Sequence, residues 1–131
     1  MPRSWSLLLL CSTLAACADT FDDRLAELDA RATFDCGEVT ECDSRFKADA
    51  VVACLQEKLA AGVPAKAFFI LGLDPVEYVY ALDGSYVSLE GDYYDGPNFT
   101  ESRCHDVAAS GPTLCAQARA IDCDVIRDWG D

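Results

Sequence analysis

Six cysteines in the body of the chain restrict its fold more than any other feature of the sequence. The chain has 131 residues and eight cysteines, of which Cys11 and Cys17 lie in an apolar N-terminal segment. The other six are Cys36, Cys42, Cys54, Cys104, Cys115 and Cys123. An even set in a short exported chain is typical of a small core held together by disulfides. We therefore expect three disulfides, while the spacing leaves their connectivity open.

A metal site is the main alternative use of these cysteines, and the sequence disfavours it. No Cys-x-x-Cys pair occurs, and His105 is the only histidine. Structural zinc sites combine closely spaced cysteine and histidine ligands, which this chain lacks. We expect no metal and no cofactor. His105 follows Cys104 directly, and neighbours in sequence rarely form a catalytic pair, so the simplest interpretation is a surface histidine beside a disulfide.

The N-terminal segment has the pattern of an export signal. Arg3 is the only charged residue among residues 1–16, and residues 5–16 are almost wholly apolar. This run is shorter than the roughly 20 apolar residues that a membrane-spanning helix needs. Ala16-Cys17-Ala18 would also fit the small-residue rule for ordinary signal cleavage, which would release a soluble chain beginning at Asp19. Export is expected in both cases.

The end of this segment, Leu14-Ala15-Ala16-Cys17, resembles the lipobox of bacterial lipoproteins. The resemblance implies a signal peptide over residues 1–16, cleavage before Cys17, and a diacylglyceryl group on the thiol of that cysteine. The covalent lipid would attach the chain to the bilayer. In this family Ala18 after the cysteine favours the outer membrane over the inner membrane. The expected location is therefore the bacterial cell envelope.

The rest of the chain resembles small cysteine-containing bacterial lipoproteins in its arrangement. The shared features are the lipobox, a loop at Asp35-Cys36-Gly37, a helix that carries Cys54 on its inner side, and an antiparallel hairpin after it. This resemblance implies a compartment and a type of fold. It implies no activity.

The chain is strongly acidic, with a formal net charge of −13. Such a charge makes nucleic acid an improbable partner and disfavours contact with anionic lipid headgroups. We expect residues 17–20 to form a short tether from which a single domain, residues 21–131, stands off the bilayer.

Two helices are predicted before the middle of the chain. Thr20 followed by Asp23 has the pattern of an N-cap, and apolar residues recur at helical spacing over residues 21–32. A second helix is predicted to begin after Asp43-Ser44 and to end before Gly62. The stretch between them, residues 34–43, lacks periodicity and is expected to be a loop held by disulfides. Cys54 is expected to lie within reach of Cys36 or Cys42.

Three strands are predicted next, over residues 66–71, 76–82 and 86–90. Asp83-Gly84 between the last two favours a type I′ hairpin turn. Tyr78 and Tyr80 share one face of their strand, which is a candidate either for the core or for a ligand. Of these two, we expect the core, with this face packed on the second helix. Further along, residues 91–100 are expected to form a loop, and Leu114, Ala118 and Ile121 suggest a short helix.

These elements predict an α+β fold: one or two helices on a small, about three-stranded antiparallel sheet, held together by disulfides.

The predicted function is a noncatalytic interaction module that binds an envelope protein or glycan through aromatic residues of the 91–100 loop, namely Tyr93, Tyr94 and Phe99. The alternative is a small hydrolase or inhibitor whose acidic residues act on a cationic partner. The acidic residues near the hairpin could suggest calcium, but they do not follow the EF-hand spacing, and a solvated acidic turn is preferred. These are Asp83, Glu90, Asp92 and Asp95.

Overall fold

The computed structural model describes residues 20–72, 75–93 and 98–130. Helix α1 spans Phe21–Arg31, and Thr20 caps it by accepting a hydrogen bond from the backbone N–H of Asp23. Helix α2 spans Arg45–Ala61, with Ser44 as its N-cap and Gly62 in the left-handed conformation at its C-cap. Both helices were predicted, and their caps are the ones that the sequence indicates.

The sheet has six strands, so the prediction of a small three-stranded sheet is wrong. The strands lie side by side in chain order: β1 Phe34–Val39, β2 Ala65–Ile70, β3 Val76–Leu82, β4 Ser85–Asp92, β5 Asn98–Ser110 and β6 Gln117–Trp129. Strand β1 pairs with β2 in parallel, and every later pair is antiparallel. The expected loop at residues 34–43 therefore contains a strand, because β2 supplies hydrogen bonds that local sequence does not reveal.

Each face of the sheet is covered by one helix. Val51 and Leu55 of α2 pack on one face, where they meet Val79 and Ala81 of β3. Phe21 and Leu28 of α1 pack on the other face, where they meet Tyr80 and its neighbour Tyr78. The expectation that the tyrosine face packs on α2 is thus wrong, since α1 covers that face.

The turn between β3 and β4 is the predicted two-residue turn. Asp83 and Gly84 have φ values of 52° and 82°, as a type I′ turn requires. The register on both sides follows from it, with Leu82 paired to Ser85 and Ala81 to Tyr86.

The C-terminal hairpin was not predicted, and the expected short helix around residues 114–121 is wrong. Strands β5 and β6 are 13 residues each, and Ala116, Ala118 and Ala120 join the core on the α2 face. The backbone N–H of Ala120 reaches a side chain of β3, although β6 lies three strands away from β3 in the sheet. The start of β6 therefore folds back across this face.

The prediction of three disulfides is confirmed. Cys36 of β1 bonds to Cys54 of α2, which is one of the two partners considered from the sequence. The other two bonds are Cys42–Cys115 and Cys104–Cys123. Cys42–Cys115 connects the loop before α2 to the loop before β6, where the N–H of Arg45 also donates to the carbonyl of Thr113.

The predicted signal peptide, residues 1–16, and the predicted lipidation site, Cys17, lie outside the described residues. Neither helix of the described part of the chain is long and apolar enough to cross a membrane.

Candidate functional site

A pocket of about 260 Å³ lies beside α1, where β1, β2 and β3 meet the end of that helix. Its lining combines aromatic rings with charged side chains. The lining residues are Asp29, Asp35, Gly37, Glu38, Lys66, Ala67, Phe68, Tyr78 and Tyr80. Pockets with apolar walls and a few polar groups are the usual form of small-ligand sites, and this pocket combines both.

Aromatic rings of β2 and β3 form the apolar wall of this pocket. Phe68 and Tyr78 are directly opposite in the antiparallel register, and their ring centroids are 5.0 Å apart. Tyr80 lies two residues further along the same face of β3 and is buried. Strand pleating therefore places the three rings on one face, and β-sheet pairing holds them together.

The Tyr80 hydroxyl donates a hydrogen bond of 2.6 Å to Oδ1 of Asp29, on α1. Burial of the ring, together with this bond to a carboxylate, raises the pKa of Tyr80 far above its ordinary value. The phenol therefore remains a neutral donor at any physiological pH. The bond also fixes the position of the Asp29 carboxylate at the edge of the pocket.

Three carboxylates and one amine carry the charge of the pocket. The Nζ of Lys66 lies 3.6 Å from Oδ1 of Asp29. Asp35 accepts a 2.8 Å hydrogen bond from the N–H of Gly37, whose φ of 104° marks an irregularity in β1 between Asp35 and Glu38. With Glu38 as the third acid, the lining has a formal charge of −2, because the three acids outweigh the single lysine.

A second, polar pocket of about 240 Å³ lies on the opposite face of the sheet, under the start of β6. At its base is Glu77 of β3, a carboxyl that is only 1% exposed. The Ser88 hydroxyl donates to one carboxyl oxygen at 2.5 Å, and the backbone N–H of Ala120 donates to the other at 3.0 Å. Glu90, directly opposite Glu77 in the β3–β4 register, forms an ion pair of 3.1 Å with Arg119 at the pocket edge.

Burial raises the pKa of Glu77 to about 7, and the neighbouring Glu90 adds to the rise. The hydrogen bonds from Ser88 and Ala120, and the charge of Arg119, act in the opposite direction but do not compensate for burial. The Glu77 carboxyl therefore exchanges its proton near neutral pH. Both carboxyl oxygens accept hydrogen bonds, one from Ser88 of β4 and one from Ala120 of β6. Glu77 therefore links β6 to β3 and β4.

The aromatic residues proposed from the sequence as a contact surface occupy different environments. Phe99 is only 1% exposed and stacks on Phe21 with ring centroids 3.8 Å apart, so it belongs to the core and not to a surface. Tyr93 is 50% exposed, and its hydroxyl lies 3.2 Å from that of Tyr78. Burial and this hydrogen bond raise the pKa of Tyr93 well above its ordinary value. Tyr94 lies outside the described residues.

The acidic residues considered for calcium do not gather in the described part of the chain. Asp83 forms an ion pair with Arg31 at 2.7 Å, and Glu90 forms one with Arg119. Asp95 lies outside the described residues. In residues 20–72, 75–93 and 98–130, no group of three or more His, Cys, Asp and Glu side chains could hold a metal ion.

The sequence indicated the tyrosine face of β3 as a candidate for a ligand, but it did not reveal the other residues that build the two pockets. Asp29 and Tyr80 are 51 positions apart, and Glu77 and Ala120 are 43 apart, so neither pair leaves a local pattern. The one available signal was the strand Val76–Leu82, whose two faces are both apolar apart from Glu77. Such a strand is typical of a sheet that is covered on both sides.

Comparison of the chain with protein-family models, with curated proteins and with solved structures finds no match. The candidate ligand is therefore inferred from the residues that line the pockets.

Proposed function

We propose that the mature chain is a lipid-anchored protein of the bacterial envelope that acts as a noncatalytic binding module. Its ligand is an organic cation, held in the pocket beside α1. The observation that carries this proposal is the placement of Phe68, Tyr78 and Tyr80 next to the carboxylates of Asp29, Asp35 and Glu38.

Aromatic rings beside carboxylates suit an alkylammonium group, because the ring faces attract a cation while the acids supply full negative charge. The pocket already attracts one such group, since the ammonium of Lys66 lies 3.6 Å from Asp29. The side chain of Lys66 is 37% exposed. An incoming cation would therefore compete with Lys66 for Asp29, and Lys66 would act as an internal competitor.

The size of the pocket limits what enters it. At about 260 Å³ it is smaller than most sites for drug-sized ligands, which are roughly 300–1,000 Å³. It suits a single alkylammonium headgroup better than a whole large molecule. A longer ligand would place its ammonium in the pocket and the remainder along the surface.

Titration of the mature chain with choline tests the proposal, with the neutral carbon isostere of choline as the matched probe. We expect saturable binding of choline and none of the isostere. Glu38→Gln should weaken binding about fivefold, because an exposed charge pair contributes about 1 kcal/mol. Glu57→Gln, on the exposed side of α2 outside the pocket, is the control and should bind as the wild type does.

Lys66→Gln should change the affinity for choline in the opposite direction. Removing the internal competitor should tighten choline binding, whereas a role for Lys66 in holding an anionic ligand predicts a loss. Equal binding of choline and its isostere would contradict the proposal, and so would equal effects of Glu38→Gln and Glu57→Gln.

The anchoring part of the proposal rests on the lipobox and is supported by the three disulfides, which suit an oxidising compartment. Cys17→Ala should abolish incorporation of labelled palmitate and retention in the membrane fraction. Equal labelling of the wild type and the variant would contradict anchoring. A mature N-terminus at Asp19 would indicate soluble secretion instead.

A small hydrolase is the second candidate, and one observation favours it. Glu77 and Glu90 are paired across two strands in a pocket, and burial raises the pKa of Glu77 to about 7. Two carboxyls in different environments are the arrangement that acid–base hydrolysis uses. Loss of a measured glycosidase activity in both Glu77→Gln and Glu90→Gln would support this candidate. Its weakness is that both oxygens of Glu77 are already occupied.

A further inference from the structure

The first turn of α1 lies within an aromatic cluster that is partly exposed. The ring of Phe21 is flanked by Tyr93 and Trp129, whose centroids lie 6.0 Å and 5.9 Å away in edge-on geometry. Tyr93 is 50% exposed, and Trp129 is partly buried. Arg127 lies over the Trp129 ring at 5.0 Å. Phe21 itself is only 2% exposed, so we call the three accessible residues around it, Tyr93, Trp129 and Arg127, the aromatic patch.

The position of this patch along the chain decides what it faces. Only three residues separate Cys17 from Phe21. Four extended residues span at most about 14 Å. The polar region of one leaflet is about 5–7 Å thick. If lipid holds Cys17 at the membrane surface, the first turn of α1 cannot move far beyond the headgroups.

We propose that the aromatic patch rests in the interfacial region of the bilayer to which the chain is anchored. Tyrosine and tryptophan are the residues that prefer this region, because their rings are apolar and their polar tips reach water. The patch presents one of each. The inference rests on the proposed lipid anchor, and it replaces the expectation that the domain stands off the membrane.

The charges around the patch select the kind of lipid. Asp22 and Asp23 are exposed in the first turn of α1, beside the patch. These carboxylates oppose an anionic surface, whereas a zwitterionic headgroup offers a cationic part to them. The partner is therefore a zwitterionic phospholipid interface, and phosphatidylcholine is the appropriate probe.

Trp129 provides the readout, because the chain has two tryptophans and the other, Trp5, belongs to the predicted signal peptide. The mature chain, residues 17–131, would be coupled through the Cys17 thiol to a maleimide lipid in phosphatidylcholine vesicles. This thiol is the one available for coupling, since the six cysteines of the body form disulfides. Chemical coupling tests docking separately from lipidation in the cell, which palmitate labelling tests.

We expect acyl-brominated phosphatidylcholine to quench Trp129 and its emission to shift to shorter wavelength. Tyr93→Asp should restore the emission. The control is Phe46→Asp, at an aromatic residue of α2 that is 85% exposed and lies outside the patch, and it should leave the quenching unchanged. Unquenched Trp129 in the coupled wild type would overturn the inference. Equal loss of quenching in the two variants would do so as well, because charge alone would then explain the effect.

Discussion

Glu77 makes the stability of this domain depend on pH in an unusual direction. Its pKa is about 7 in the folded chain, against 4.5 for an ordinary glutamate. A raised pKa means that the folded state binds the proton more tightly than the unfolded state. The contribution of Glu77 to the free energy of unfolding is therefore highest below pH 4.5, falls between pH 4.5 and about 7, and is constant above that range.

The size of the effect follows from the same values. The difference between 7 and 4.5, at 1.36 kcal/mol per pKa unit, corresponds to about 3 kcal/mol. This is a large part of the roughly 5–15 kcal/mol that stabilises a typical domain. The exposed carboxylates also titrate in acid, so the total profile of the wild type does not isolate Glu77.

Glu77→Gln isolates the contribution of Glu77 to the pH dependence of stability, because glutamine has the shape of the protonated acid but does not titrate. Its amide oxygen can accept from the N–H of Ala120, and its amide nitrogen can donate to the Ser88 hydroxyl. Urea unfolding of both proteins should give similar midpoints near pH 4, and the variant should become more stable than the wild type by about 3 kcal/mol near pH 8. Glu57→Gln is the exposed control. Parallel profiles for the wild type and Glu77→Gln would refute the reasoning.

Three further substitutions test the fold. Gly84→Val should lower the free energy of unfolding by about 1–3 kcal/mol from backbone strain alone, since φ is 82° and a Cβ there meets nothing within 4 Å. Urea melts would compare it with Gly84→Asn, which tolerates this φ, and equal midpoints of the two variants would contradict the strain. Gly91→Ala should lower the free energy of unfolding by at least as much, since its Cβ would lie 1.9 Å from the carbonyl oxygen of Asn98. Hydrogen exchange should show a loss of amide protection where β4 pairs with β5, and unchanged protection would contradict this prediction. Arg24→Met should cost about 3–5 kcal/mol by leaving the buried Glu101 carboxylate without its bidentate partner. Adding Glu101→Leu should recover part of that loss, and purely additive effects would show that the pair is not coupled.

Local signals in the sequence predicted the elements whose geometry neighbouring residues determine. The caps at Thr20 and Ser44, the stop at Gly62 and the turn at Asp83-Gly84 all depend on residues within one turn of the backbone. Three disulfides followed from cysteine number and expected export. What these signals could not predict was β1 and the β5–β6 hairpin, since those strands depend on partners far away in sequence.

The candidate site was less predictable than the fold. The contact surface expected at residues 91–100 includes Phe99, which the structure buries against Phe21. An aromatic residue after a polar loop has the same local sequence whether it faces solvent or the core, and only the position of α1 decides. The pocket beside α1 has the same cause, because Asp29 meets Tyr80 only after the helix docks.

The strand Val76–Leu82 contained more information than the prediction used. Its tyrosine face was assigned to the core while the opposite face was left without a partner, yet that face carries Val79 and Ala81, which are also apolar. A strand with two apolar faces requires a cover on each side, so a second packed layer follows from this run alone. The single acid in such a strand, Glu77, must then be buried, and a buried carboxyl needs hydrogen-bond donors or a proton. The structure provides two donors, the Ser88 hydroxyl and the N–H of Ala120. Because the pKa of Glu77 is raised to about 7, its carboxyl also retains a proton in part of the molecules near neutral pH.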